Sequence, residues 1–165
     1  MMIKPAALFI SLLFLTALSA NAASRQPCFV VGISDGDTLT CLTQEKRPIR
    51  VRLEEIDAPE KNQPFGKKAK QQLSKWVYKR LISLEISGYD RYHRVLATVY
   101  LGGKNINLEM VKTGMAWAYN QYLRHPIYLH AQEKARAQRK GLWRDAYPIQ
   151  PQEWRHHRKE RKYGF

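Results

Sequence analysis

Three short stretches carry carboxylates and arginines close enough together to hold a cation and a phosphate: Asp35-Gly36-Asp37-Thr38, residues 51–60, and Asp90-Arg91-Tyr92-His93-Arg94. Carboxylates are hard oxygen ligands that select Ca²⁺ or Mg²⁺ over softer metals. Guanidinium forks donate in a plane that suits phosphate oxygens and can stabilise charge developing at phosphorus. A glutamate is ionised at neutral pH and can accept a proton from water, which lysine and arginine cannot. The central stretch, residues 51–60, reads V-R-L-E-E-I-D-A-P-E. Ile49, Val51 and Leu53 alternate with Arg50, Arg52 and Glu54, the pattern of a strand with one apolar and one charged face. Asp57-Ala58-Pro59 ends it, because proline cannot donate to a ladder and restricts the residue before it. A solvated strand face beside an ordinary turn is the competing reading. Glu54 and Glu55 rival Glu60, and Arg50 shares the face of Arg52; the residues alone do not choose among them.

The elements that must position these side chains follow from periodicity. Residues 28–33 and 39–43 read as strands around Ser34-Asp35-Gly36-Asp37, and Asp-Gly between β-type runs is a hairpin signal. Cys28 and Cys41 lie on opposite arms, about one pair out of register, which a bulge or a longer turn would correct. In an exported chain with only two cysteines, a disulfide is the expected use. Residues 61–66 form a polar loop. Apolar positions 65, 69, 73, 76 and 77 then give helical spacing through Tyr78. Residues 81–86 read as a strand, Ser87-Gly88 as a turn, and residues 94–101 as a strand with β-branched Val95, Thr98 and Val99. Gly102-Gly103 leads into a helix over 105–113, closed by Gly114. A last helix runs from Pro126 to Lys140 and stops at Gly141. The order β-β-β-α-β-β-α-α predicts an α+β fold: an OB-type five-stranded β-barrel with three helices.

The ends carry other information. Met1 to Lys4 is a positive n-region, residues 6–18 are apolar, and Ala20-Asn21-Ala22 is an A-x-A cleavage site. Residues 1–22 therefore read as a signal peptide, too short to span a bilayer. The remaining chain is expected to be exported, periplasmic or secreted, and free of the membrane. Residues 23–150 form the domain, and 151–165 read as a solvated basic tail that adds non-specific phosphate affinity. Lysine and arginine number 28 against 14 acidic residues, a net charge of +14. That charge points to a polyanionic partner without saying which.

Four pieces in order resemble the staphylococcal nuclease (thermonuclease) family: Asp35-Gly36-Asp37-Thr38, Arg52 with Asp57-Ala58-Pro59-Glu60, Asp90-Arg91-Tyr92-His93-Arg94, and Gly141-Leu142-Trp143. The resemblance implies a calcium-dependent phosphodiesterase that cuts DNA and RNA with little sequence preference and leaves 3′-phosphate ends. It implies Asp37, Asp57 and the carbonyl of residue 58 as Ca²⁺ ligands, Ala58 standing where the family commonly has threonine. It selects Glu60 as general base and Arg52 and Arg94 as the phosphate clamp. Arg91 and Tyr92 match contacts to a terminal phosphate, and Tyr119 and Tyr122 lie near where the family stacks a base, a core role being the alternative. His93 departs from the family's glycine. It is read as structural, on a strand and facing away from Tyr92 and Arg94. The expected partner is nucleic acid as substrate, with no stable protein partner and a monomeric chain. A non-catalytic OB-type single-strand binder is the alternative function, and a cationic protein acting on anionic surfaces is a third.

Overall fold

The structure is a computed structural model describing residues 25–164. The expected signal segment lies outside the described residues. Among the described residues, no helix is long and apolar enough to cross a membrane.

Three strands, β1 (Gln26–Ile33), β2 (Thr38–Leu42) and β3 (Pro48–Leu53), form an antiparallel meander. A two-residue strand β4 (Ile56–Asp57) follows, and then helix α1 (Gly66–Val77) crosses to the hairpin of β5 (Leu81–Tyr89) and β6 (Val95–Leu101). β5 pairs with β1, and β6 pairs in parallel with β3, which closes a five-stranded barrel. The closing register sets Val51 against Val95 and Arg52 against Leu96. Arg52 and the residue just before β6, Arg94, are thereby brought to one rim. Next come β7 (Lys104–Asn105), α2 (Ile106–Lys112), β8 (Trp117–Ala118), α3 (Ile127–Ala137) and α4 (Pro151–Tyr163).

Alternation along the strands fills the barrel. Val30, Leu39, Cys41, Val51, Leu53, Ile82, Leu84, Val95, Ala97 and Val99 are all buried. The apolar stripe of α1 closes one end through Ala69, Leu73 and Val77. α2 packs Ile106, Met110 and Val111 into the same core, and its first turn is capped by Asn105, whose Oδ1 accepts the Leu108 N–H at 2.9 Å. Each such large side chain contributes roughly 1.5–3 kcal/mol by burial. The start of α1 is pressed onto the loop before it: a Cβ at Gly66 would lie 1.9 Å from the Glu60 carbonyl oxygen. Only glycine fits so close to backbone.

Four expectations need correction. The β5–β6 turn is Asp90–His93, not Ser87-Gly88; the latter pair lies within β5, at a bulge between Ile86 and Gly88. His93 is not on a strand. It occupies that turn with φ 58°, a left-handed conformation in which histidine is tolerated better than most residues. The third helix ends at Ala137, before a separate 3-10 turn at Gly141–Arg144. Residues 151–163 are helical where no helix was expected, although most of the described side chains there are exposed: Pro151 opens α4 and Glu153 complements the dipole of its first turn.

Cys28 and Cys41 form a disulfide, both buried in the core. Both a longer turn and a bulge are present, but they cancel, so the two cysteines stay one pair out of register and are not brought opposite. The turn is wider than an Asp-Gly pair, since the Ser34 N–H bonds the Thr38 carbonyl, and a bulge between Val30 and Gly32 offsets the extra residue. Cys41 therefore faces Val30, and the bridge closes a diagonal with the Cα atoms 5.6 Å apart. Unreduced, denatured protein should titrate no free thiol. Reduction should lower the unfolding free energy by about 3 kcal/mol, the entropy of a loop this size, read from urea titrations with and without reductant.

Candidate active site

The site begins with the phase of β3. Val51 and Leu53 point into the barrel, so Arg52 between them points to the rim, where its side chain is only 12% exposed. A guanidinium held there needs acceptors, and four groups supply them. Nη1 donates to the carbonyls of Leu53 (2.7 Å) and Ile56 (2.9 Å) and pairs with Asp37 Oδ2 (3.1 Å), while Nη2 donates to Asp57 Oδ1 (3.0 Å). The carbonyls converge because the chain turns sharply between β3 and β4, with Glu55 at φ 62°.

Asp37 comes from the β1–β2 turn. Its Oδ2 accepts the Ala58 N–H at 2.7 Å and its Oδ1 accepts the Thr38 hydroxyl at 3.1 Å. The turn lies hard against Ala58 and Ala69, since a Cβ at Gly36 would meet their Cβ atoms at 2.7 and 2.6 Å. Asp37 and Asp57 are 6% and 3% exposed. Burial pushes the Asp57 carboxyl up; a hydrogen bond from Arg155 draws it down, nearby Asp37 raises it further, and Arg52 lowers it. Asp35, which accepts the Asp37 N–H at 3.1 Å, is pushed up to about 7 by burial and then by Asp37.

Arg94 joins this pair through Thr38, to whose hydroxyl its Nη1 donates at 3.4 Å. Asp90 builds the turn that carries it. One oxygen accepts the backbone N–H of Tyr92 (2.8 Å) and Arg94 (3.0 Å), and the other accepts Arg94 Nε (2.7 Å). The exposed Tyr92 ring lies under both Arg91 and Arg94, 4.9 and 5.5 Å from their guanidinium carbons.

On the other side, β8 pairs with β4, setting Trp117 opposite Asp57. Tyr119 follows, its N–H on the Glu55 carbonyl at 2.8 Å, and its ring meets that of exposed Tyr122 edge-on at 4.9 Å. Neither tyrosine is core. Burial, then the Asp57 charge, pushes the Tyr119 phenol up.

The glutamates sort by environment. Glu60 lies past Pro59, its side chain 32% exposed beside Asp57. Its backbone is fixed by buried Gln63, which accepts the Glu60 N–H at 3.0 Å and donates to the Ile149 carbonyl at 2.7 Å. Glu54 turns away to Ser87, Thr98 and Arg124. Buried Glu55 accepts the N–H groups of Arg124 (2.6 Å) and His125 (2.8 Å) and meets the His125 ring at 2.7 Å. Arg50 is exposed on β3.

Arg155 of α4 completes the cluster, and the sequence reading missed it. Nη2 donates to Asp57 Oδ2 at 2.9 Å, and Nη1 to Glu60 Oε1 at 2.8 Å and Asp57 Oδ1 at 3.3 Å. The usable signal was Pro151 with Glu153, a helix start, which would have put Arg155 on an ordered element.

For a cation the donor set is two buried carboxylates, a hard-oxygen set. Among the described residues, no three Asp, Glu, His or Cys side chains converge into a closed cage. An ion here would leave positions for water and substrate oxygens, as a catalytic rather than structural site requires.

Comparison with known proteins decides the family. The profile described as "Staphylococcal nuclease homologue" matches residues 50–145, more than half of the chain. The chain belongs to the staphylococcal nuclease family. A Haemophilus influenzae protein named "Uncharacterized endonuclease" is 57% identical over 148 residues, covering 90% of this chain and 83% of the relative. "Micrococcal nuclease" of Shigella flexneri is 42% identical, covering 76% of this chain and 78% of the relative. "Protein ParB" of Escherichia coli is 41% identical, covering 81% of each. In this nuclease-family chain the barrel brings Asp37, Arg52, Asp57, Ala58, Glu60 and Arg94 to one rim, with Arg91 and Tyr92 on one flank and Tyr119 and Tyr122 on the other.

The Glu55 cluster locks the Leu53–Ile56 turn that shapes this rim. Burial raises the Glu55 carboxyl, but bonds from the His125 side chain and the Arg124 and His125 N–H groups outweigh it and leave the group below its ordinary value. A depressed folded pKa stabilises above the unfolded value of about 4.3 and is lost as pH falls through the folded one. Glu55→Gln should therefore lower stability by about 1.5–3 kcal/mol at pH 7. The deficit should shrink as the wild-type carboxylate protonates, read from urea titrations of both proteins between pH 7 and 3.

Proposed function

We propose that this nuclease is a calcium-dependent phosphodiesterase that hydrolyses DNA and RNA with little sequence preference and leaves 3′-phosphate ends. One observation carries the reading: two buried carboxylates, two arginines and a half-exposed glutamate meet on one rigid barrel rim. A single-strand binder needs cations and aromatic rings on that rim, but no buried acidic pair.

In this reading Asp37 and Asp57 hold Ca²⁺, with the Ala58 carbonyl beside them. The bound ion supplies charge stabilisation at the scissile phosphate and a template for water. Glu60 takes a proton from the attacking water as the water oxygen bonds phosphorus. The P–O5′ bond breaks, the 5′-oxygen leaves protonated by solvent, and the 3′ side keeps the phosphate. Arg94 presents the guanidinium edge that Asp90 does not use to the equatorial oxygens. Arg52 has Nε–H and one Nη2 hydrogen beyond those its four acceptors take, and these serve the same oxygens. Arg91 and Tyr92 meet a neighbouring phosphate, and Tyr119 and Tyr122 offer faces on which any base stacks. The chain acts on nucleic acid as a monomer, exported through residues 1–22, and its core disulfide suits an oxidising compartment.

Turnover on single-stranded DNA with Ca²⁺, with Mg²⁺ and with chelator tests the reading. Ca²⁺ should support cleavage, Mg²⁺ less because its octahedral demands are stricter, and chelator none. In saturating Ca²⁺, Glu60→Gln should lose about 10²- to 10⁴-fold in turnover. Its DNA affinity, measured in chelator, should hold, and Glu54→Gln should cut like wild type. Full cleavage in chelator would exclude the cation. A Glu60→Gln protein within a few-fold of wild type would exclude Glu60 as the base.

A further inference from the structure

Helix α4 touches the barrel lightly. Pro151 is buried, Trp154 and Arg155 are half-buried, and His156 to Arg161 are exposed. Arg155 nevertheless makes its three hydrogen bonds to the two carboxylates that matter most, Asp57 and Glu60. The helix is aimed there by the segment before it. Gln63 ties the Ile149 carbonyl to the Glu60 loop, and Pro59, Pro64, Phe65, Trp117, Pro148 and Ile149 line a small cavity beneath.

We propose that α4 is an autoinhibitory strap: docked Arg155 competes with the divalent cation for Asp57 and occupies one oxygen of Glu60, so cation binding and helix docking exclude each other. The inference rests on the calcium-dependent reading above. Both oxygens of Asp57 already accept hydrogen bonds, Oδ1 from Arg52 and Arg155 and Oδ2 from Arg155. An ion ligated by Asp57 would lie against the Arg155 guanidinium, two cations at one carboxylate. Arg52 cannot yield, because it is buried and also bound to two carbonyls. Arg155 can, because its side chain is 34% exposed and its helix is anchored chiefly at Pro151 and Trp154. With Arg155 docked, Glu60 Oε1 already accepts a guanidinium N–H, which leaves that oxygen less free to accept a proton from water. Cation binding frees both carboxylates at once and releases the basic helix to the polyanion. Coupling of this kind is reciprocal: what the helix takes from cation affinity, the cation takes from helix docking.

The test is calorimetric Ca²⁺ titration of the protein without substrate, joined to hydrogen exchange over residues 151–163. Arg155→Ala should bind Ca²⁺ about 5- to 150-fold more tightly than wild type, the usual span of such coupling. In wild type, Ca²⁺ should strip amide protection from α4. Arg158→Ala removes an exposed charge from the same helix and should move the affinity by less than about twofold, which separates competition from a general field. Equal Ca²⁺ affinity in wild type and Arg155→Ala, weaker binding in Arg155→Ala, an equal gain in Arg158→Ala, or unchanged α4 protection would each overturn the strap and leave the calcium reading standing. Absence of Ca²⁺ binding in every protein would overturn the calcium reading, and the strap with it.

Discussion

The buried pairing of Arg52 with Asp37 and Asp57 is the interaction on which the rest of this structure depends. Charges taken out of water cost several kcal/mol each unless geometry and extra hydrogen bonds compensate. The surrounding chain supplies those bonds. The Leu53 and Ile56 carbonyls take Arg52, the Ala58 N–H and Thr38 hydroxyl take Asp37, and Arg155 takes the remaining oxygen of Asp57. Removing a partner from such a cluster leaves a buried charge uncompensated, so the turns that carry its members are constrained as tightly as the core. Gly36 pressed on Ala58 and Ala69, and Gly66 pressed on the Glu60 carbonyl, show that constraint in the backbone.

Closure of the barrel turns the cluster into a site. The parallel β3–β6 pairing sets Val51 beside Val95, which brings Arg94 to the rim that Arg52 occupies, and Asp90 fixes its direction. A second layer holds the chain around the site. Asn107 is fully buried and clamps the Glu54 and Ala97 carbonyls and the Val99 N–H, while Glu55 gathers the backbone of Arg124 and His125. Reacting groups carried on strands and short pinned turns keep their geometry better than groups on loops. The exposed elements, Tyr92 and Tyr122, lie outside this frame, where a flexible polymer must be met.

Period-2 alternation at Ile49, Val51 and Leu53 was enough to read β3 and the face of Arg52, because strand pattern and burial are the same fact seen twice. The helix stripe at Ala69, Leu73 and Val77 was legible for a similar reason. The Asp90–His93 turn was not. Ser87-Gly88 looked like the turn, whereas the carboxylate of Asp90, bonding three nitrogens, decides where the hairpin reverses. The same limit hid Glu55 and Gln63, whose partners lie about seventy residues or more away in the chain. Helix α4 was missed because its composition is that of a solvated tail. Pro151 with Glu153 signals the helix start, but the docking of Pro151, Trp154 and Arg155 on the barrel is tertiary contact, which leaves little trace in local pattern.

The most direct measurement is an anomalous difference map from crystals of the protein grown with Ca²⁺. If the buried acidic pair is the cation site, one peak should appear within roughly 2.3–2.6 Å of carboxylate oxygens of both Asp37 and Asp57. A peak on other acidic residues, with Asp37 and Asp57 still paired only to arginines, would contradict the account.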